Sequence, residues 1–134
     1  QVLVLIQKKG YNLYMSKNKL TDLAYRVTQL KETEPPFSQH EFEGTDGIYK
    51  CICCENPLFN AKAKYESGSG WPSFYEPYGK CSVETETDKS HGMIRTEVQC
   101  KDCGAHLGHV FEDGPLPSGL RYCINGVALN FHKS

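Results

Sequence analysis

The spacing of apolar residues near the start of the chain is helical. Five of them lie between residues 20 and 30 at spacings that place them on one face of a helix: Leu20, Leu23, Ala24, Val27 and Leu30. Such a stripe is typical of a helix that buries one face. Asn18 or Thr21 is suited to cap its start, and Pro35-Pro36 stops any helix that follows. We therefore predict a short N-terminal helix.

Beyond Phe37 the helical period fades and short alternating segments replace it. They cover residues 48–50, 93–98 and 121–131 and are separated by frequent Gly and Pro residues. Alternating segments bounded in this way are typical of strands joined by turns. The pattern predicts a small, mostly antiparallel β domain with a helical N-terminal arm.

The last segment contains two apolar sets: Tyr122 with Ile124, and Val127 with Leu129 and Phe131. Because alternate residues of a strand share a face, the two sets are out of phase by one residue. Asn125-Gly126 is a natural place for a bulge or kink that turns both sets toward the core. Cys123 and Asn125 are then expected to point away from the core, into a cleft.

Length and charge narrow the functional classes. The chain has 134 residues and a formal net charge of −1, without a long basic run, so we expect one domain and no nucleic-acid partner. The apolar run within residues 1–10 is too short for a membrane span and follows no basic residues, so we expect no membrane association. The absence of an evident targeting signal favours the cytoplasm, and we expect a monomer.

The first residues are set apart from the domain. Met15 is a candidate native start, so residues 1–19 are either an N-terminal extension or residues left from expression. We assign residues 20–134 to the domain itself.

Four of the seven cysteines form two pairs of the same spacing, Cys51 with Cys54 and Cys100 with Cys103. Each pair can supply two corners of one tetrahedral zinc site, and a metal role favours a reducing compartment. Four thiolates leave no open coordination position, so we predict a structural zinc that staples the domain. Redox dithiols or ordinary buried cysteines are the alternative, and Cys53 offers a competing register.

Cys123 lies outside these pairs. Arg121 precedes it by two residues, so on a strand the two side chains share a face and the guanidinium favours the thiolate. His106 and His109 follow the second pair closely and are suited to donate protons or position water. For the histidines, zinc ligation or a structural role is the alternative. For Cys123, the alternative is a half-buried spectator.

The single tryptophan, Trp71, stands after a glycine-rich turn and before Pro72. Trp71 either anchors the core or forms the wall of an apolar pocket, which the glycines allow a ligand to approach closely.

Six segments, spread between residues 20 and 131, form a specific combination. They are Tyr25-Arg26-Val27-Thr28, Thr33-Glu34-Pro35-Pro36-Phe37, Gly70-Trp71-Pro72-Ser73-Phe74, Ser90-His91-Gly92-Met93, the run from Cys103 to Phe111, and Arg121-Tyr122-Cys123-Ile124-Asn125. In this order they resemble the B-type methionine sulfoxide reductases, the peptide-methionine (R)-S-oxide reductases. The resemblance implies two antiparallel sheets with short N-terminal helices, and a structural zinc in a single domain.

The resemblance also implies a reaction. The Cys123 thiolate attacks the sulfoxide sulfur of oxidised methionine, and release of methionine leaves Cys123 as a sulfenic acid. His109 is the first candidate to protonate the departing oxygen, with His106 assisting. Arg121 stabilises the thiolate, and Asn125 orients the reacting groups.

The same resemblance implies the substrate contacts and the partners. Trp71 packs on the substrate methyl group and favours one sulfur configuration, and Phe111 and Asn125 complete the substrate contacts. The substrate is methionine (R)-sulfoxide, free or in oxidised proteins. Thioredoxin or another thiol reductant recycles the enzyme.

One position departs from the family pattern. Many members have a resolving cysteine two residues before the tryptophan, where this chain has Ser69, and a serine cannot form a disulfide with Cys123. Cys81 is a better spare candidate than Cys53 for that role, although an inert surface or core thiol is the favoured interpretation of Cys81. Alternatively, an external thiol reduces Cys123 directly, or Ser69 is an engineered replacement of the resolving cysteine.

Two further functions fit parts of the sequence. A zinc-stapled binding module fits the cysteine pairs but has no need of Cys123, Arg121 or the two histidines. A thiol–disulfide oxidoreductase needs a metal-free Cys-x-x-Cys pair at the head of a helix in a βαβ unit, and neither pair has that setting.

Overall fold

The N-terminal helix forms where the apolar stripe predicts it. The computed structural model describes residues 20–42 and 44–134, and within them α1 spans Asp22–Leu30. Thr21 is the N-cap, because its hydroxyl accepts a hydrogen bond from the Ala24 N–H at 3.1 Å; Asn18 lies outside the described residues. The helix ends at Lys31, whose φ of 61° is left-handed.

The buried face of α1 differs slightly from the predicted stripe. Ala24, Val27 and Thr28 are buried, whereas Leu30 is 55% exposed. Thr28 tolerates burial because its hydroxyl donates to the Ala24 carbonyl at 2.7 Å. The resemblance led us to expect several helices, but the described residues contain one α-helix.

Within the described residues, nine strands form two antiparallel sheets, which confirms the predicted architecture. Their bounds are β1 Gly47–Cys51, β2 Pro57–Asn60, β3 Lys64–Tyr65, β4 Ser73–Phe74, β5 Val83–Asp88, β6 Arg95–Cys100, β7 His106–Phe111, β8 Arg121–Ile124 and β9 Leu129–Lys133. The small sheet has the order β2-β1-β9, and the large sheet has the order β3-β4-β8-β7-β6-β5. Short 3₁₀ helices at Ala61–Ala63, Ser90–Gly92 and Gly126–Ala128 join some of them.

Aromatic rings from both sheets fill the space between them. Tyr49 and Phe59 of the small sheet contact Phe74 of the large sheet, with ring centroids 5.2 and 4.3 Å apart. Tyr122 and Ile124 of β8 are buried in the same core. Since alternate residues of a strand face opposite ways, Cys123 is on the outer face of the large sheet, as the phase of the pattern predicted.

The segment 121–131 is two strands rather than one. The predicted kink at Asn125-Gly126 is the 3₁₀ helix Gly126–Ala128, which carries the chain from β8 in the large sheet to β9 in the small sheet. The change of sheet lets both apolar sets reach the core, because each strand presents its own inward face. No helix in the described part of the chain is long and apolar enough to cross a membrane.

Candidate active site and metal centre

Strand pairing places four polar side chains in one row across the large sheet. Cys123 lies directly opposite Ser73 on β4 and His109 on β7, and His109 lies opposite Glu97 on β6. Residues that face each other across an antiparallel pair share one side of the sheet. The outer face therefore brings the predicted nucleophile and the predicted proton donor together.

Arg121 lies two residues before Cys123 on β8 and therefore on the same outer face. It pairs with Phe111, and its guanidinium carbon lies 4.6 Å from the centre of the Phe111 ring. The guanidinium also donates to both oxygens of Asp113, at 2.9 and 3.2 Å. Arg121 is thus fixed by a ring and a bidentate ion pair, so its charge stays close to Cys123 in one orientation.

The environment of the Cys123 thiol combines opposing influences. Burial raises the pKa of Cys123 above its ordinary value, while the charge of Arg121 and a hydrogen bond from Ser69 lower it. The net direction is upward. The charge of Arg121 therefore favours the thiolate, but it does not outweigh burial.

Both histidines reach the outer face because the strand pairing is irregular. Residues three apart on a regular strand face opposite ways, yet the rings of His106 and His109 have centroids 5.5 Å apart. The register between β6 and β7 shifts between Val98 and Gln99. This bulge re-aims one of the two histidines, which is a common use of a bulge near a functional site.

Each histidine contacts its own carboxylate. The Nδ1 atom of His106 lies 2.7 Å from Glu97 Oε2, and the Nε2 atom of His109 lies 2.7 Å from Asp88 Oδ2. His106 Nε2 is buried and has no hydrogen-bond partner among the described residues. The face therefore carries two histidine–carboxylate pairs side by side.

The two carboxylates are held in their ionised form. Burial alone would raise the pKa of Glu97, but His106 and Lys31 lower it to about 2. A hydrogen bond from His109, with further bonds from Ser90, holds the pKa of Asp88 well below its usual range. Burial lowers the pKa of His109, and Asp88 opposes that change.

Asn125 is buried and fully engaged with the backbone. Its amide donates to the Leu107 carbonyl at 2.9 Å, and its side-chain oxygen accepts from the Glu34 N–H at 2.9 Å. The residue ties β7, the end of β8 and the segment after α1 together. It is placed to hold the site in shape.

Glu34 fastens the segment after α1 over the turn that follows Cys123. Its carboxylate accepts from the N–H groups of Gly126 and Val127 at 2.7 and 3.0 Å, and His40 Nε2 lies 3.2 Å from both oxygens. The Glu34 carbonyl accepts from the indole N–H of Trp71 at 3.0 Å. Sequence reasoning missed Glu34 because its partners Trp71, Gly126 and Val127 lie 37 to 93 residues away.

The segment that carries Trp71 runs alongside β8, because the Pro72 carbonyl accepts from the Ile124 N–H at 2.9 Å and Ser73 lies opposite Cys123. Trp71 is half-buried, and the Phe37 N–H donates to the Gly70 carbonyl at 2.6 Å. Gly70 has a φ of +94°, and a Cβ there would lie 2.9 Å from Pro36, so glycine is required on both grounds. Ser69 Oγ accepts from Ser67 at 2.9 Å and donates to the Trp71 carbonyl at 3.4 Å.

The two cysteine pairs meet at the other end of the large sheet. The sulfurs of Cys51, Cys54, Cys100 and Cys103 all lie within 4.8 Å of one another; the sulfurs of Cys51 and Cys103 are 3.8 Å apart, and those of Cys54 and Cys100 are 3.6 Å apart. A tetrahedral site with Zn–S bonds of about 2.3 Å has sulfurs about 3.8 Å apart. These four thiols therefore fit one tetrahedral metal ion.

Each pair is shaped by a tight turn. The Glu55 N–H donates to the Cys51 carbonyl, and the Gly104 N–H donates to the Cys100 carbonyl, both at 2.8 Å. Cys53 is buried outside the group of four, where Gln29 Nε2 lies 3.6 Å from its sulfur. The spacing Cys51–Cys54 is thus the register that meets the second pair.

Cys81 is exposed and distant from Cys123. The row of Cys123 continues through His109 and Glu97 to residue 86 of β5, and three strand separations already amount to about 14 Å. Cys81 precedes that position by five residues along the chain. A disulfide needs Cα atoms within about 7 Å, so a Cys123–Cys81 bond requires a large rearrangement.

Comparison with known proteins adds independent information. Residues 20–133 match the family model described as the SelR domain. A protein named peptide methionine sulfoxide reductase MsrB from Pseudomonas entomophila strain L48 is 55% identical over 126 residues, 93% of this chain and 96% of the relative. Proteins of the same name from Pseudomonas fluorescens Pf-5 and Hahella chejuensis are 61% and 50% identical. They cover 79% and 88% of this chain, and 82% and 86% of their own lengths.

Proposed function

Because the chain belongs to the SelR-domain family, whose curated relatives are peptide methionine sulfoxide reductases, we propose that it reduces methionine (R)-sulfoxide by nucleophilic attack of Cys123. The observation that supports this most directly is the row across the large sheet. It places one half-buried thiol opposite His109 and beside Arg121. The four-cysteine site alone would fit a binding protein equally well.

The proposed reaction transfers one oxygen atom. The Cys123 thiolate attacks the sulfoxide sulfur, a proton is delivered to the sulfoxide oxygen, and the oxygen passes to Cys123 as methionine is released. Cys123 is oxidised to sulfenic acid and the substrate is reduced. Two external thiols then restore the Cys123 thiol, forming one disulfide and one water.

Proton delivery is assigned to His109, with His106 assisting. His109 lies opposite Cys123 in the β7–β8 ladder, and a histidine is suited to give a proton near neutral pH. Because burial raises the pKa of Cys123, we expect substrate to bind before the thiolate forms in quantity. The charge of Arg121, fixed by Asp113, then stabilises the thiolate.

Substrate binding is assigned to Trp71 and Phe111, with Asn125 setting the shape of the site. Trp71 presents a half-buried apolar ring two residues before Ser73, the residue opposite Cys123, and such a ring suits the methyl group of the sulfoxide. Phe111 lies under Arg121 on the same face. A chiral sulfur held between an apolar wall and a proton donor presents its oxygen one way only, which favours a single configuration.

Recycling is assigned to an external thiol, with thioredoxin as the first candidate. All seven cysteines lie among the described residues, and those outside the metal group are Cys53, Cys81 and Cys123. Cys53 is buried and Cys81 is far from Cys123, so neither is placed to act as a resolving thiol. Ser69, at the resolving position, cannot form a disulfide, and its hydroxyl donates to the Trp71 carbonyl at 3.4 Å.

The metal is assigned to zinc in a structural role, bound by Cys51, Cys54, Cys100 and Cys103. Bound zinc would join the small sheet to the large one. We further propose that residues 20–134 carry the activity as a cytoplasmic monomer.

The deciding experiment is a single-turnover assay with separate (R)- and (S)-methionine sulfoxide, without added thiol, in the wild-type chain and in Cys123→Ser. We expect about one methionine per protein from the (R) form only, and none from the variant. Multiple turnovers with dithiothreitol and then with thioredoxin identify the reductant. A folded, metal-loaded protein that forms no methionine would overturn the proposal in favour of a binding module.

A further inference from the structure

From the pair formed with His109, we infer that Asp88 is the positioning residue for proton delivery: it fixes the imidazole of His109 with its Nε2–H toward β5 and stabilises the protonated ring. This role rests on the proposed reductase function. The inferred role adds to that function a carboxylate that lies three strands away from Cys123, outside the segments that carry the predicted site residues.

The contact between the two side chains is short and directional. His109 Nε2 lies 2.7 Å from Asp88 Oδ2, the usual length of a hydrogen bond to a charged group. His109 projects from β7 and Asp88 ends β5, so the imidazole reaches across β6 to make this bond. A ring held at Nε2 keeps Nδ1 free to exchange a proton with the reacting oxygen.

Asp88 is itself held in place. The Ser90 N–H donates to Asp88 Oδ1 at 2.9 Å, and Arg95 Nη2 lies 3.5 Å from Oδ2. The Ser90–Gly92 turn closes directly after the carboxylate. Asp88 thus keeps one rotamer without help from His109, which is the condition for it to orient the ring rather than be oriented by it.

The charged and titratable groups around His109 shift the pKa of its imidazole in opposite directions. Asp88 from β5 favours the protonated imidazole, whereas burial, Arg95 from β6 and the neighbouring His106 disfavour it. Glu97 from β6 is engaged with His106, and Cys123 from β8 lies opposite. Asp88 is the one carboxylate in hydrogen-bond contact with His109 among the described residues, so its removal leaves the disfavouring influences unopposed.

The second histidine supplies an internal comparison. His106 is paired with Glu97 through Nδ1, so the two imidazoles present different nitrogens to their carboxylates. Both residues of that pair are 3% exposed at the side chain, against 11% and 18% for His109 and Asp88. The less buried pair is the one suited to meet a substrate, and the more buried pair is suited to support it.

The test uses the full chain and two readouts. Asp88→Asn removes the charge at nearly constant volume. Glu86→Gln is the matched control on the same strand, because Glu86 accepts from Gln99 Nε2 at 2.9 Å and contacts neither histidine. Ring ¹⁵N shifts of His109 across pH report its tautomer and protonation without substrate, and single-turnover rates across pH report the chemistry.

In the wild type and in Glu86→Gln, the neutral imidazole of His109 should carry its one ring proton on Nε2. Asp88→Asn should mix the tautomers and lower the pKa of His109. A positioned proton donor contributes about 10²–10⁴-fold, so losing its orientation should slow the single-turnover rate about tenfold or more. In a plot of the single-turnover rate against pH, the fall at high pH marks the loss of the His109 proton. In Asp88→Asn this fall should occur at lower pH than in the wild type, while KM changes little. Asp88→Glu should recover part of the rate.

Opposite results would overturn the inference. If the neutral imidazole of His109 in the wild type carries its proton on Nδ1, the inference is overturned even if Asp88→Asn fails to fold. An Asp88→Asn variant with the rate of Glu86→Gln, whatever its ring shifts, also does so. If the wild type reduces no sulfoxide, the proposed function fails by itself, and the ¹⁵N titration still decides whether Asp88 fixes His109.

Discussion

Two regions of the large sheet use cysteine in opposite ways. At one end, four thiols lie within 4.8 Å of one another. On the outer face, Cys123 lies outside that group of thiols among the described residues and has the charge of Arg121 near it. A group of thiolates close together needs a cation, whereas an isolated thiol among proton donors is available for reaction.

Burial by itself does not separate the two regions. Cys54 and Cys123 are both half-buried, yet only one of them has three other sulfurs within ligand distance. The neighbours therefore decide whether a cysteine is structural or reactive. Variants that alter one region at a time should change either stability or chemistry, but not both equally.

The largest effect is expected on chemistry from Cys123→Ser. Removing an enzymatic nucleophile costs about 10⁴-fold or more, while a half-buried sulfur-to-oxygen exchange should change the free energy of unfolding by about 1 kcal/mol or less. Single-turnover assays and urea unfolding measure the two quantities. Residual methionine formation by the variant would show that Cys123 is not the nucleophile.

The metal region should show the reverse pattern. Chelation, or Cys100→Ser, should lower the free energy of unfolding by several kcal/mol, because the metal closes a segment of more than forty residues and structural zinc stabilises the fold directly. Metal analysis and thermal unfolding check this, with Cys81→Ser as the matched control. Unchanged stability after complete metal loss would remove the distinction between the two regions.

The sequence predicted the parts of both regions that depend on nearby residues. Equal spacing within Cys51–Cys54 and Cys100–Cys103 identified the group of four, and the phase of Tyr122 and Ile124 placed Cys123 on the outer face. These features need only the local geometry of turns and strands.

The partners of the histidines could not be predicted in the same way. Asp88 and Glu97 meet His109 and His106 only because β5, β6 and β7 pair in one register with a bulge at Val98-Gln99. Alternation along β7 would have separated the histidines onto opposite faces. Contacts that depend on a register shift are invisible until the strands are paired.

The next largest effect is a pH dependence of stability. It comes from the reactive face, by which we mean the outer face of the large sheet that carries Cys123, His109 and Glu97. The pKa of Glu97 is lowered to about 2 in the fold, so its pairing stabilises the protein fully above about pH 4.5, the ordinary value. That stability is lost as pH falls toward 2. It amounts to about 3 kcal/mol at most.

Glu97→Gln isolates this contribution. The stability difference from wild type, measured by urea unfolding, should be constant from pH 7 to pH 5 and should shrink below about pH 4.5. Metal content is followed in parallel, because acid also protonates the cysteine thiolates. A difference that is independent of pH between 5 and 3 would mean that Glu97 is not held ionised by His106 and Lys31.

A smaller effect is expected from Glu34→Gln, which tests how the reactive face is held. The two carboxylate oxygens accept from different N–H groups, Gly126 and Val127, so an amide NH₂ must face one donor. The expected cost is about 1–3 kcal/mol of unfolding free energy, with slower turnover because Asn125 and Trp71 also bond the Glu34 backbone.

Glu32→Gln is the matched control for Glu34→Gln. Glu32 is 44% exposed at the side chain and pairs with Arg26 at 3.0 Å, and an exposed pair contributes about 1 kcal/mol or less. Equal stability of the two variants in chemical unfolding would show that Glu34 does not fasten the segment after α1.

The smallest effect is expected from Cys81→Ser, which separates a third kind of cysteine from both regions. Cys81 is exposed and precedes β5, a strand whose residue 86 is about 14 Å across the sheet from Cys123, so we expect the two thiols to be beyond the reach of a disulfide. Stability should change by less than about 0.5 kcal/mol, and turnover with an external thiol should be unchanged.

After one turnover of the wild type without reductant, mass spectrometry should find Cys123 as sulfenic acid and Cys81 as a free thiol. A Cys123–Cys81 disulfide at that stage would instead mean that the sheet opens during the reaction and that Cys81 belongs with the reactive face.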